Sequence, residues 1–244
     1  LSGIDATTSY TAAGITTSVN TIIANGTQTD KKTFTLTTGL NTFTGGDSSD
    51  TFDASTALTL NNGDVLDGGG GTDTITAKFS STSTAVNSKN IEKFVITATG
   101  DTTLNFADST GITSISNQGS TADLTINSLN SLPTLEINTN EKDTNIQFAN
   151  AALAGSADEF KVTLSGTTNG TANNNEPTLV ITRAAGATND LETLHLVSST
   201  VANAIETVTT TAVDTTTLKI SGDQNLTIED SVGTEITSVD ASAA

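Results

Sequence analysis

The chain has 244 residues, of which 34% are hydrophobic and 15% are charged, so it is long enough to bury a sizeable core. Its formal net charge is −18, with nine Lys and Arg residues. This charge excludes nucleic acid and anionic membranes as expected partners, because both require basic patches, and it makes cations the expected partners. Cysteine is absent, so disulfides cannot stabilise the fold.

Thr, Ser, Asn, Asp and Gly dominate the composition and Pro occurs only twice, which predicts an all-β protein with many short strands and tight turns. We interpret residues 1–32 as an N-terminal strand or linker segment. The chain lacks an initiator Met and has no stretch of about twenty apolar residues, so we expect an excised fragment without a transmembrane segment.

Residues 33–80 contain two copies of a glycine-rich pattern. Gly68 to Thr76 fits G-G-x-G-x-D-x-U-x, where U is a large apolar residue, at every defined position. Gly45 to Asp53 is a second copy in which Ser48 replaces the third glycine. The copies start 23 residues apart, so we expect the two turns to stack in neighbouring coils, with Leu58 and Leu60 in an intervening strand.

The chemistry of these turns predicts bound calcium. Glycine lets the backbone curl so that carbonyl oxygens point at a cation, Asp supplies negative charge, and calcium accepts six to eight oxygen ligands. Zinc would require His and Cys ligands, but the chain has no Cys and its single His lies outside these turns. We expect Asp50 and Asp73 to be the main carboxylate ligands. The full predicted set is Gly45, Asp47, Asp50, Asp53, Asp64, Asp67, Gly68, Gly70 and Asp73.

Residues 81–149 repeat two apolar patterns at intervals of roughly twenty residues, which predicts two strands per repeat. One pattern is Φ-x-x-Φ-x-Φ, as in Leu132, Leu135 and Ile137, and the other is Φ-x-Φ, as in Leu124 and Ile126. A fixed interval of this kind favours a right-handed parallel β-solenoid or β-roll over a stack of hairpins. Ten residues are predicted to face inward: Leu104, Ile112, Leu124, Leu135, Ile137, Ile146, Leu194, Leu196, Leu218 and Ile228.

The period fails in residues 150–190, where strands near Phe160 to Leu164 and Leu179 to Ile181 flank a Gly, Asn and Thr-rich loop, and we interpret this region as a hairpin insertion. The step resumes in residues 191–244, which we interpret as a continuation of the solenoid. The last strand, near Ile236 to Val239, is predicted to leave an open edge, with the parent chain continuing beyond it. A leucine-rich repeat and a plain β-sandwich are the alternative architectures.

His195 is the single histidine, and it alternates outward between Leu194 and Leu196, so we expect a solvated strand residue and no Ser-His-Asp triad. Aromatic residues make up 4% of the chain, too few for the platforms that a glycosidase uses. We therefore do not expect an enzyme.

At its glycine-rich turns the sequence resembles the RTX family of secreted calcium-binding repeats. The stretches Thr33 to Gly46 and Gly63 to Asp73 are more closely similar to a region of large bacterial surface-layer (S-layer) proteins. That resemblance implies a calcium-bound β-roll that continues into a β-solenoid, export to the bacterial cell surface, and self-assembly with identical subunits. It also implies polysaccharide attachment through a region outside this chain.

The expected function is thus a structural building block of a calcium-dependent surface layer. Two alternatives stay open at this point. One is a calcium-dependent surface adhesin, and the other is the non-catalytic solenoid part of a secreted polysaccharide-active enzyme.

Overall fold

The structure is a computed structural model that describes residues 31–139, 142–167, 176–210 and 213–244. These residues form short β-strands and one 3₁₀ helix, Asn150–Leu153. The first strands are β1 (Thr33–Thr35), β2 (Thr42–Thr44), β3 (Thr51–Ala54), β4 (Val65–Asp67), β5 (Thr74–Phe79), β6 (Ser83–Ala85), β7 (Ser88–Lys89), β8 (Lys93–Ala98), β9 (Thr102–Asn105) and β10 (Ser114–Gln118). The remaining strands are β11 (Leu124–Leu129), β12 (Thr134–Asn138), β13 (Thr144–Phe148), β14 (Glu159–Ser165), β15 (Leu179–Arg183), β16 (Thr193–Ser198), β17 (Asn203–Thr209), β18 (Thr217–Gly222), β19 (Leu226–Ser231) and β20 (Ser238–Ala243).

The strands form three sheets that run along the solenoid. A ten-stranded sheet has the order β1-β3-β5-β8-β10-β12-β14-β16-β18-β20, a seven-stranded sheet has the order β19-β17-β15-β13-β11-β9-β6, and β2-β4-β7 form a third. Every pairing between these strands is parallel. The predicted all-β parallel solenoid is therefore confirmed, and the β-sandwich and leucine-rich-repeat alternatives are wrong, because the first needs antiparallel pairs and the second a helical half-repeat.

The core forms because one apolar residue of each coil stacks on its equivalent in the next. In the ten-stranded sheet, Phe52 pairs with Ile75, Ile75 with Phe94, and Phe94 with Ile115. These side chains are buried, whereas the residues between them face outward, as the period of two along a strand requires. Edge-to-face contact between Phe94 and Phe106, with ring centroids 5.1 Å apart, joins this sheet to the opposite side of the coil.

The predicted inward positions are confirmed, with one difference at the last coil. Leu104, Ile112, Leu124, Leu135, Ile137, Ile146, Leu194, Leu196 and Leu218 are buried. Ile228 packs against the core but is only partly buried, because it lies in β19, an edge strand. The other edge strand at this end is β20, which includes the predicted strand at Val239, and all six of its residues are exposed.

The predicted hairpin insertion in residues 150–190 is wrong. The two strands form, but β14 pairs in parallel with β12 and β16, while β15 pairs in parallel with β13 and β17. They are the two sides of one long coil. The physical reason is that Phe160, Val162 and Leu164 continue the buried rows of the core. The additional residues of this coil therefore lie in the connections between strands, and the parallel pairing of the strands is unchanged.

The intervening strand predicted at Leu58 and Leu60 is also not formed. Residues 55–63 make turns, in which Leu58 has a positive φ of 64° and is 44% exposed. The strand of this coil is β4, whose Leu66 is buried against the core. Of the two leucines in this alternating pattern, Leu60 is buried, but the segment that contains them is not a β-strand.

Candidate metal centre

The two glycine-rich turns stack on each other, as predicted from their spacing. The backbone N–H of Gly45 donates to the carbonyl of Asp67 at 2.8 Å, and that of Gly70 donates to the carbonyl of Gly46 at 2.7 Å. The strands that follow the turns are in register, with Thr51 opposite Thr74. The turns therefore form one continuous corner of the solenoid.

Gly45 and Gly68 are required by the closeness of the neighbouring coil. A Cβ at Gly45 would lie 1.9 Å from the carbonyl oxygen of Gly68, and a Cβ at Gly68 would lie 1.9 Å from that of Asn90. Both distances are shorter than any real contact, so a side chain would push the coils apart. Gly70 is different, since a Cβ there would have its nearest neighbour, the Asp47 Cα, at 3.5 Å.

Asp50 and Asp73 occupy equivalent, buried positions at this corner. Oδ1 of Asp50 accepts a 2.6 Å hydrogen bond from the backbone N–H of Lys32, and Oδ1 of Asp73 accepts one of 2.6 Å from the backbone N–H of Asp50. In the third coil Oε2 of Glu92 accepts a 2.7 Å bond from the N–H of Asp73. Each acid thus caps the backbone of the coil before it, and the three carboxylates form a column.

Asp73 differs from Asp50 at its second oxygen. Oδ2 of Asp50 accepts a 2.8 Å bond from the N–H of Gly46, whereas Oδ2 of Asp73 is buried without a hydrogen-bond partner. Burial, the largest cause, raises the pKa of Asp73, and the charges of Glu92, Asp50 and Asp67 raise it further against the opposing hydrogen bond from the Asp50 N–H. The ionised form of Asp73 is therefore electrostatically unfavourable in the folded protein.

A second oxygen, the carbonyl oxygen of Asn90, lies close to Asp73 Oδ2. The position that a Cβ on Gly68 would fill is 2.4 Å from Asp73 Oδ2 and 1.9 Å from the carbonyl oxygen of Asn90. A carboxylate and a backbone carbonyl are the donor types that calcium prefers. The oxygens of Asp73 and Asn90 are thus of the types that calcium binds, and these two residues are the candidates to hold it.

The other predicted carboxylates lie elsewhere or already have partners. Asp64 lies at the separate corner before β4, where its two oxygens accept backbone bonds of 2.7 Å from Asn41 and Asn61. Asp47 is exposed. Asp53 accepts a 3.0 Å bond from the N–H of Ser55, and the side chain and backbone of Ser55 lower its pKa.

Asp67 is engaged by the third coil. It accepts hydrogen bonds from Asn90 Nδ2 at 2.9 Å, from Gly69 N–H at 3.1 Å and from Lys89 Nζ at 3.3 Å. Partial burial opposes its ionisation, but these donors prevail and lower its pKa. Within the described ranges, no three His, Cys, Asp or Glu residues are grouped in a way that would hold a metal.

Sequence reasoning missed Asn90 and Glu92, which complete the corner. The third turn is shorter than the first two, since only residues 90–92 separate β7 from β8, and it contains no glycine. A search for the glycine pattern therefore stops one coil too early. The signal that would have found Glu92 is its position directly before the strand that begins at Lys93, which matches that of Asp73 before β5.

His195 was predicted to be solvated, and this was wrong. It faces outward from the ten-stranded sheet, but its side chain is only 11% exposed. Nδ1 lies 2.8 Å from Glu159 Oε1 and Nε2 lies 2.7 Å from Ser221 Oγ. Partial burial opposes the ionisation of Glu159, but His195 and Lys219 outweigh it and lower its pKa.

The fold and the corner together define a class, the parallel β-solenoid with stacked glycine-rich turns capped by carboxylates. No protein-family model, curated protein or solved structure matches this chain. Among the residues that the structure describes, no helix has the length and apolar character needed to cross a membrane.

Proposed function

We propose that this chain is a structural segment of a secreted bacterial surface layer in which calcium staples adjacent coils and promotes assembly with identical subunits. The calcium part rests on one observation, the buried Asp73 oxygen without a partner beside the Asn90 carbonyl. The surface-layer part rests on the resemblance of the stretches around the glycine turns, and the solenoid is consistent with it.

Calcium at this corner would supply the positive charge that the column of acids lacks. Asp50, Asp73 and Glu92 stand in successive coils, whose strands are about 4.8 Å apart. Like charges at that spacing repel, and the chain as a whole carries a net charge of −18. An ion bound by Asp73 and the Asn90 carbonyl would offset this repulsion and hold the second and third coils together.

The calcium part is tested by thermal unfolding and calorimetry with calcium or with chelator. Calcium that binds only the folded state raises the free energy of unfolding by RT ln(1 + [L]/Kd), roughly 2.7 kcal/mol at a hundredfold excess over Kd. We expect this gain in the wild type and in Asp108→Asn, which changes an exposed carboxylate in a downstream turn. Asp73→Asn should lose it. Equal melting curves with calcium and chelator in the wild type, with no heat of calcium binding, would contradict the proposal.

The assembly part has a separate readout. Electron microscopy and sedimentation of the full-length protein, with and without calcium, should show ordered sheets only when calcium is present. Calcium-bound monomers that instead bind a cell-surface ligand would support the adhesin alternative and contradict the surface layer. This outcome is independent of whether Asp73 binds the ion.

A further inference from the structure

The outer face of the ten-stranded sheet carries a hydrogen-bonded series of Glu159, His195 and Ser221. These residues come from three neighbouring strands, β14, β16 and β18. Ser221 Oγ lies 2.7 Å from His195 Nε2, and His195 Nδ1 lies 2.8 Å from Glu159 Oε1. Both distances are within the range that joins a nucleophile to its base and that base to an orienting acid.

The proton positions in this series follow from its chemistry. An ionised carboxylate can only accept, so Nδ1 of His195 carries the hydrogen that is shared with Glu159. In the neutral ring Nε2 then holds a lone pair, and it accepts the hydroxyl proton of Ser221. This is the tautomer that a general base requires, and Glu159 fixes it because its carboxylate is held ionised by His195 and Lys219.

Ser221 is half-buried, and the side of it that faces the last strand is open to a small reagent. Its neighbours in the same row of the sheet face are Val197 and Ala243, and Ala243 is exposed. Lys219 stands two residues before Ser221 on the same face, with Nζ 3.5 Å from Glu159 Oε2, so a positive charge is present beside the series.

We propose that Ser221 is a His195-activated nucleophile that accepts an acyl group from a small activated carboxylic ester, which makes it a site of covalent acylation on a structural protein. Ser221 Oγ forms the new bond to the ester carbonyl carbon, and its proton passes to Nε2 of His195. When the intermediate collapses, the bond to the leaving alcohol breaks and the alkoxide takes the proton from Nε2. The products are an acyl ester of Ser221 and the free alcohol.

Glu159 acts through His195 and is a positioning residue. The charged groups that face the imidazole are Glu159 and Lys161 from β14 and Lys219 from β18, with Asp240 beyond Lys219 in β20. Glu159→Gln should slow acylation because it no longer fixes the ring tautomer, and Glu159→Asp, which keeps a carboxylate, should recover part of the rate.

The test uses p-nitrophenyl acetate on the full chain, with nitrophenol release and peptide mapping by mass spectrometry. We expect one acetyl group on Ser221, none there in Ser221→Ala, a loss of rate of roughly 100-fold in His195→Gln, and a loss of roughly tenfold in Glu159→Gln. Ser116→Ala is the matched control. Ser116 lies on the same sheet face with Oγ 3.1 Å from Glu136 Oε2, but it has no histidine beside it.

Three results would overturn the proposal. The first is acetylation of Lys161 or Lys219 without acetylation of Ser221, the second is equal labelling of Ser116 and Ser221, and the third is an unchanged rate in His195→Gln. Circular dichroism of each variant checks that the solenoid is intact. Because His195 is the single histidine of the chain, its modification by diethylpyrocarbonate gives a second measurement on the unaltered protein, and it should slow acylation as strongly as His195→Gln does.

Discussion

The corner at Gly45 and Gly68 in the upstream coils, residues 33–90, and the corner at Asn203 in the downstream coils are held together in different ways. Upstream, the backbone of one coil lies directly on that of the next, which leaves no room for a Cβ at Gly45 or Gly68 and places carboxylates in a column. At the downstream corner, an amide side chain joins the coils instead. Asn203 Oδ1 accepts bonds from Gly166 N–H and Thr167 N–H at 2.7 and 3.0 Å, and its Nδ2 donates to Val201 O at 2.7 Å.

The difference shows that one parallel ladder can be closed by two kinds of corner. The glycine corner brings the backbones of two coils together but concentrates negative charge, so we expect its strength to depend on cations. The asparagine corner is neutral and satisfies its own donors and acceptors, so we expect its strength to be the same with and without cations. Substitutions at each corner, measured with and without calcium, distinguish the two kinds of corner. A substitution in the core gives a reference for the size of the change in unfolding free energy.

The largest effect is expected from Phe148→Ala in the downstream core. Phe148 is fully buried and makes an edge-to-face contact with Phe160, with ring centroids 5.0 Å apart. Removing it should lower the free energy of unfolding by about 3–5 kcal/mol. Phe43→Ala, which truncates a partly buried ring of the upstream coils, should cost clearly less. Urea unfolding followed by circular dichroism measures both, and equal losses would show that the two regions are packed equally tightly.

The next effect is expected from Gly68→Ala in the upstream corner. The new Cβ would meet the Asn90 carbonyl at 1.9 Å, so the coils must separate, at a cost of about 3 kcal/mol. Gly39→Ala is the control, because Gly39 is exposed and its nearest contact would be at 3.7 Å, and it should change stability by less than about 0.5 kcal/mol. The same urea titration applies, and a neutral Gly68→Ala would mean that the turns are not tightly stacked.

Asn203→Ala should cost about 2 kcal/mol, because it leaves the N–H groups of Gly166 and Thr167 without their acceptor. This loss should be the same in calcium and in chelator, unlike the loss from Asp73→Asn. Melting temperatures under both conditions provide the comparison. A calcium-dependent loss at Asn203 would remove the distinction between the two corners.

The smallest effect is a pH dependence of the upstream corner. Because the pKa of Asp73 is raised in the folded protein, the folded state binds its proton more tightly than the unfolded chain does. The contribution of Asp73 to stability therefore falls as the pH rises from its ordinary pKa through the raised one, and stays low above it. In chelator, Asp73→Asn should gain stability relative to the wild type near pH 7, and the gain should shrink below about pH 4. A gain that does not change with pH would contradict the raised pKa.

The register of the ladder could be predicted from the sequence because it depends on local alternation and on a repeat of roughly twenty residues. The 23-residue spacing of the glycine turns likewise predicted their stacking. Two features could not be predicted. The β14 and β15 strands were interpreted as a hairpin because this coil is longer than the others, which breaks the repeat in the sequence. The strands nevertheless pair in register with those of the neighbouring coils. The contacts of His195 were missed because Glu159 and Ser221 are 36 and 26 residues away along the chain, and only the fold brings them together.

The unequal length of the coils has a consequence for engineering. Ile115 pairs with Leu135, 20 residues on, and Val162 pairs with Leu196, 34 residues on, yet both pairs lie in the same ten-stranded sheet. The ladder is therefore insensitive to the length of the connection between two of its strands. Because the entropy cost of loop closure grows only slowly with loop length, about 0.6 kcal/mol per doubling, a foreign peptide placed in a long connection would be displayed at little cost to the scaffold.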